Sequence, residues 1–189
     1  GVNGEGVISN RVTGTTTTEM AKSWEIAAFQ DDLQEVVCEF TAQCRVKGTN
    51  GEWQKVDSSN AVQALTGWNA ETLTKTITGT FPKYDAHGNE LEYRWVESNV
   101  TFGDQETNFV ADGNGCGSFT INVLDAEGNP ETLEFTSTPT TTVGDDGSYS
   151  TQIVNTFENI TDQHVDKYWE QPDGTLAQIA PDPAYDDGV

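Results

Sequence analysis

The chain of 189 residues carries 31 acidic and 9 basic side chains, a formal charge of -22. That field repels nucleic acid and anionic membrane and argues against both as partners; a solvated acidic surface is the plain reading of the charge and cation binding the sharper one. No apolar run approaches the roughly 20 residues that span a bilayer, and no basic-then-apolar leader opens the chain, so targeting or anchoring signals are expected outside this stretch.

The length suits one domain, with or without extensions. From the start of the chain onward, the dominant period of hydrophobicity is two. Lys22 shares one strand face with Trp24 and Ile26. In Val36–Val46 one face carries Val36, Cys38, Phe40, Ala42, Cys44 and Val46, the pattern of a half-buried strand. GTNGEW, Gly48–Trp53, is a turn into the next strand. Only Asn60–Ala64 and the neighbourhood of Met20 offer a helical turn. Alternation resumes at Thr72–Thr80 and continues through FPKYDAHGNELEYRWVE, Phe81–Glu97, where DAHGN is a turn and Leu91, Tyr93, Trp95 and Glu97 share a face. Phe119–Leu124 and Thr132–Phe135 flank the turn-rich DAEGNP, and DDG, Asp145–Gly147, leads into a last strand near Tyr149–Phe157. Many short strands separated by Gly, Asn and Asp turns predict an all-β sandwich.

The three cysteines, Cys38, Cys44 and Cys116, form no CxxC pair, and His87 and His164 stand alone, so no zinc pattern is present and no cofactor is expected. On one straight strand Cys38 and Cys44 lie about 20 Å apart, at ~3.3 Å per residue, too far to bridge. Packed, reduced cysteines are the expectation for these two, with Cys116 left as a possible partner for either.

A repeat organises the chain. ISNRV at Ile8–Val12 matches IVNTF at Ile153–Phe157, and KSWE at Lys22–Glu25 matches KYWE at Lys167–Glu170. The spacing from Asn to Lys is 12 both times (22 − 10 and 167 − 155), so two short motifs keep one register. Residues 1–13 then end a preceding repeat or linker, 14–160 form a full unit, and 161–189 begin another repeat or linker.

Period two also puts three polar residues on faces that are otherwise apolar: Lys22 on the first strand, Glu97 on a middle one, and Asn155 beside Ile153 and Phe157 on the last. A buried charge must be paired or neutralised. Spacing alone favours an ordinary Lys–Glu ion pair with a hydrogen-bonded Asn. The sharper alternative is covalent. Burial disfavours the charged forms of amines and carboxylic acids alike. An uncharged Lys22 amine then attacks the side-chain carbonyl carbon of Asn155, Glu97 polarises the amide oxygen and shuttles protons, and ammonia leaves.

Lys-x-Trp on the first strand, FPKYD-x-x-GNELEY-x-x-x-E in the middle and I-x-N-T-F at the end resemble the collagen-adhesin B-type (Cna-B) repeat of Gram-positive surface proteins. Pro82, Lys83, Tyr84, Asp85, Gly88, Asn89, Glu90, Glu92, Tyr93 and Glu97 carry the likeness, which spans most of residues 18–99 and 149–158. The resemblance implies an immunoglobulin-like β-sandwich with an intramolecular isopeptide bond between Lys22 and Asn155, assisted by the acid Glu97. It implies a structural stalk module of an extracellular, cell-wall-attached adhesin or pilin, its partners being neighbouring repeats and a host extracellular-matrix protein or glycan. The module is not a turnover enzyme, because the bond forms once. From Glu97 to Asn155 is 155 − 97 = 58 positions, longer than the family pattern, so residues 100–148 read as an insertion of extra hairpins. Asn159 in FENIT is the fallback for the last-strand amide. The alternative function is a host glycan- or protein-binding adhesin module that uses the 100–148 insertion. Lys83 in TFPK resembles the lysine that sortases join in pilin shafts, although the PKYD turn accounts for it. NVT at Asn99 and NIT at Asn159 are glycosylation sequons only in a host that glycosylates them. DAEGNPE and ADGNG lack the full calcium-loop pattern and read as turns.

Overall fold

A computed structural model describes residues 12–25, 32–124, 127–158, 168–170 and 176–178. The chain divides into two compact units, Gly1–Asn159 and Ile160–Val189. The first unit is all-β. Its strands are β1 (Thr15–Glu25), β2 (Val36–Val46), β3 (Gln54–Lys55), β4 (Val62–Leu65), β5 (Thr74–Pro82), β6 (Leu91–Phe102), β7 (Gln105–Glu106), β8 (Val110–Ala111), β9 (Gly117–Leu124), β10 (Pro130–Val143) and β11 (Tyr149–Phe157). In the second unit β12 (Tyr168–Glu170) pairs antiparallel with β13 (Leu176–Gln178). Ile8 to Arg11, Asn10 among them, and Ile26, Asn159, His164 and Lys167 lie outside the described residues. Of the second KYWE only Tyr168–Glu170 is described, as β12. Among the described residues no helix is long and apolar enough to cross a membrane.

Two sheets make the first unit. One runs β5-β1-β11-β10-β9-β8, and the other runs β3-β2-β6-β7 with β4 also on β2. β1 is antiparallel to β5 and parallel to β11, with Trp24 opposite Asn155. The expected helical turn around Met20 is part of β1. The run TTTTEM is rich in β-branched residues, which pack well on a pleated surface and resist a helix. Its even-numbered positions from Thr16 to Trp24 all face inward. Short 3-10 turns occupy Asp32–Glu35 and Ser59–Ala61; the second, capped by Ser58, overlaps the predicted Asn60–Ala64 only at Asn60 and Ala61, and β4 takes the rest.

Segment 100–148 does not stand apart from the sheets. β10 pairs with β11 from Phe135 to Val143 and with β9 from Pro130 to Ser137, so it joins the two halves of the larger sheet. It extends well beyond the predicted Thr132–Phe135. Pro139 fits within it because pairing with β9 has ended by that point, and no ladder donor is lost on that side.

The core lies between the sheets. Met20, Trp24, Phe81, Trp95, Phe135 and Ile153 are among its buried side chains. β6 meets β11 through polar contacts as well. The buried Thr151 hydroxyl accepts the Trp95 amide at 3.2 Å and shares a hydrogen bond with the Thr141 hydroxyl at 2.9 Å, while the Trp95 indole N–H donates to Thr18 Oγ1 at 3.0 Å. These bonds pair an amide and an indole that would otherwise be costly to bury.

One irregularity positions the site. The β2–β6 register shifts between Glu39, opposite Asn99, and Phe40, opposite Glu97, so Ser98 is an extra residue. Such a bulge resets the alternation. Glu97 and Val100, three residues apart, therefore both face the core.

Candidate functional site

Lys22, Glu97 and Asn155 are brought together in the interior, each at most 1 % exposed. β1 and β11 are hydrogen-bonded neighbours, so Lys22 and Asn155 project from adjacent strands of one sheet. Glu97 projects from β6 of the facing sheet. Lys22 Nζ lies 3.2 Å from Glu97 Oε1 and donates to Oε2 at 3.4 Å. The Asn155 side-chain amide donates through Nδ2 to Glu97 Oε1 at 3.3 Å. One carboxylate thus contacts both the amine and the amide nitrogen.

The surroundings are apolar. Lys22 Nζ stands 5.1 Å from the Trp24 ring centroid and 6.0 Å from that of Phe40. Both faces attract a cation, but neither replaces water as a hydrogen-bond acceptor. Trp24 is held by edge-on contacts with Trp68, Phe119 and Phe135 at 5.5–6.1 Å. The sequence reading put Glu97 on the amide oxygen, whereas here Glu97 faces the amide nitrogen and Asn155 Oδ1 is buried without a hydrogen-bond partner.

Sequence reasoning did not single out two neighbours of this cluster. Ser137 on β10 lies directly opposite Asn155, fully buried, with its hydroxyl also unpartnered. It follows Leu133 and Phe135 on the inward face of β10, but the Thr-rich run after it continues no apolar stripe by which to pick it out. Cys38 is the other. Burial pushes its thiol well above the ordinary value of 9.0; the nearby Glu97 carboxylate adds to the rise and the Lys22 ammonium opposes it. The sign follows from linkage. Above pH 9 the unfolded chain releases this proton while the folded chain keeps it, so this contribution to stability is present below that pH and is lost as pH rises past it. At pH 8 a thiol-specific chromogenic reagent is expected to label Cys38 only after denaturant is added, whereas the partly exposed Cys116 labels in the native state. All three cysteines are free thiols, Cys116 included.

The other motifs act as turns. Asp85 Oδ1 accepts the amides of His87 and Asn89 at 2.8 Å, and Asp112 Oδ1 accepts those of Asn114 and Cys116 at 2.9 and 2.8 Å. Gly115, at φ +95°, lets this second turn lie on the outer face of β6, where an added Cβ would come within 2.8 Å of Val96. Lys83 lies 3.9 Å from Glu90 in a partly exposed ion pair. A cavity of about 520 Å³ is lined by Ala111–Gly115 together with Arg45, Trp53 and Arg94, and Arg94 Nη1 donates to the Asn114 carbonyl at 2.7 Å. Guanidinium groups of Arg45 and Arg94 each lie 4.4 Å from the Trp53 ring, so the indole is already stacked by the protein itself. Among the described residues no group of three His, Cys, Asp or Glu is placed to hold a metal ion.

No family model matches the chain, and neither a curated protein nor a solved structure matches it.

Proposed function

We propose that residues 14–160 are an immunoglobulin-like sandwich of the Cna-B type, a structural stalk module of a bacterial cell-surface adhesin or pilin locked by an isopeptide bond between Lys22 and Asn155. The observation that carries this reading is the shared Glu97 carboxylate, in contact with a buried amine on β1 and a buried amide on β11.

The chemistry balances with these three side chains alone. A proton passes from Lys22 Nζ to Glu97, leaving an uncharged amine and a carboxylic acid. The Nζ lone pair adds to Asn155 Cγ and its carbonyl electrons move to Oδ1. Glu97 gives its proton to Nδ2, which it already faces, and takes a second from Nζ. The Cγ–Nδ2 bond then breaks, ammonia departs, and a neutral secondary amide remains beside a protonated Glu97. Fixed proximity supplies much of the acceleration, since nucleophile and electrophile sit on adjacent strands and need no diffusional encounter. The dry surroundings strengthen each electrostatic contact.

Intact-mass measurement tests the reading. The folded chain is expected to be lighter than its sequence mass by one ammonia, and Asn155→Ala is expected to run at its full sequence mass. A wild-type mass equal to that of the sequence would overturn the cross-link.

A further inference from the structure

We propose that Ser137 is the oxyanion donor of this self-crosslinking reaction: its hydroxyl binds Asn155 Oδ1 as negative charge gathers there. The inference rests on the Lys22–Asn155 reading and adds a residue to it.

The reaction places charge on one atom, Asn155 Oδ1, and Glu97 does not serve it. Its Oε1 faces the amide nitrogen instead, where the leaving group needs a proton. Oδ1 is nonetheless buried and has no partner. Four buried side-chain polar atoms among the described residues lack a hydrogen bond, and two of them are Asn155 Oδ1 and Ser137 Oγ. They belong to residues directly opposite one another on β11 and β10. Opposed residues of an antiparallel pair have Cβ atoms about 4.5–5.5 Å apart on the same face. A serine hydroxyl that turns about χ1 spans the remaining gap.

The rest of that cross-strand row offers Ser137 no competing acceptor. Trp24, whose buried indole N–H is also unpartnered but is a donor and not an acceptor, lies beyond Asn155, and Gly117, which has no side chain, lies beyond Ser137. The ring of Phe109 covers Gly117, so an added Cβ there would come within 2.3 Å of it. A donor without a partner and an acceptor without a partner, on directly opposed buried residues, are placed to make a contact whose strength rises as the acceptor turns into an oxyanion. That differential binding lowers a barrier, because the bond is stronger in the transition state than in the ground state. Three roles then fall on separate groups: Glu97 moves protons between the two nitrogens, Ser137 holds the oxygen, and Lys22 attacks.

The test uses the full chain, collected unfolded from inclusion bodies and refolded by dilution, with the loss of one ammonia followed by intact mass over time. Ser137→Ala is expected to fold and to react about 10²–10³-fold more slowly, the usual effect of removing one oxyanion donor. Ser137→Cys keeps the shape but offers a much weaker donor, so it is expected to be slow as well. A packing role would instead be preserved by cysteine. A Cys variant as fast as the wild type, or an Ala variant within twofold of it, overturns the inference while leaving the cross-link standing. A wild-type chain that never loses ammonia overturns both. If Ser137→Ala fails to fold, the Cys variant alone decides between the same outcomes.

Discussion

Lys22→Met alone is expected to destabilise the first unit by about 3–5 kcal/mol, because it leaves the buried Glu97 carboxyl group without its partner. On the proposed cross-link between two strands so distant in the chain, losing it adds a few kcal/mol more in the chain-entropy account developed for disulfides. The two contributions separate in a double variant, Lys22→Met with Glu97→Leu. Replacing a buried ion pair by apolar side chains of similar volume is often neutral or stabilising by about 1–4 kcal/mol. If the wild-type site is covalent, the double variant recovers the part due to the unpartnered carboxyl group and stays about 2–4 kcal/mol below the wild type. If the site is only an ion pair, the double variant equals or exceeds the wild type. Urea midpoints, interpreted at unchanged m-value, give the answer.

Trp95→Ala is expected to cost about 3–5 kcal/mol through lost burial and the cavity left behind. Trp95 is fully buried against Phe81 and holds Thr18 Oγ1 with its indole N–H at 3.0 Å. The alanine variant therefore removes the apolar fill and also the indole partner of a buried hydroxyl. Trp95→Phe retains most of the fill and loses the hydrogen bond, so a smaller loss, about 1 kcal/mol beyond the volume change, is expected. Val143→Ala, at a residue 59 % exposed, is the control and should stay within about 0.5 kcal/mol of the wild type. Thermal melts rank the three variants. A Trp95→Ala midpoint close to that of the Val143 control would mean that the two sheets do not depend on this side chain.

Strands that alternate cleanly were legible from the residues alone. β11 covers Tyr149–Phe157, the predicted span, and the inward face of β2 is buried from Val36 through Ala42 as the period requires. The same strand shows where the rule weakens, since Cys44 and Val46 share that face yet are only partly covered. Period two assigns a face, and what covers that face is decided by other segments. The charged and amide members of the candidate site were visible because each breaks an apolar stripe. Ser137 was not, because it sits where the Leu133–Phe135 stripe runs out into TSTPTTT, and a small polar residue at the end of a stripe interrupts nothing. Nor did the sequence reading anticipate the bulge at Ser98, which turns Val100 inward, because the extra residue is defined by the opposing strand. Tertiary pairing likewise extended β10 across a proline that local propensity would have used as a stop.

The parallel pairing of β1 with β11 has a mechanical consequence. The register runs from Thr18 beside Tyr149 to Glu25 beside Thr156, so the start of β1 and the end of β11 lie at opposite ends of the ladder. Those seven steps span roughly 23 Å at ~3.3 Å per residue. Force applied to Thr15 and Phe157 therefore slides the two strands along one another and loads their hydrogen bonds together rather than one after another. An antiparallel pair pulled from its two adjacent ends would unzip instead. On the proposed Lys22–Asn155 bond, that load would pass through a single amide, and everything between the two residues would be left unextended.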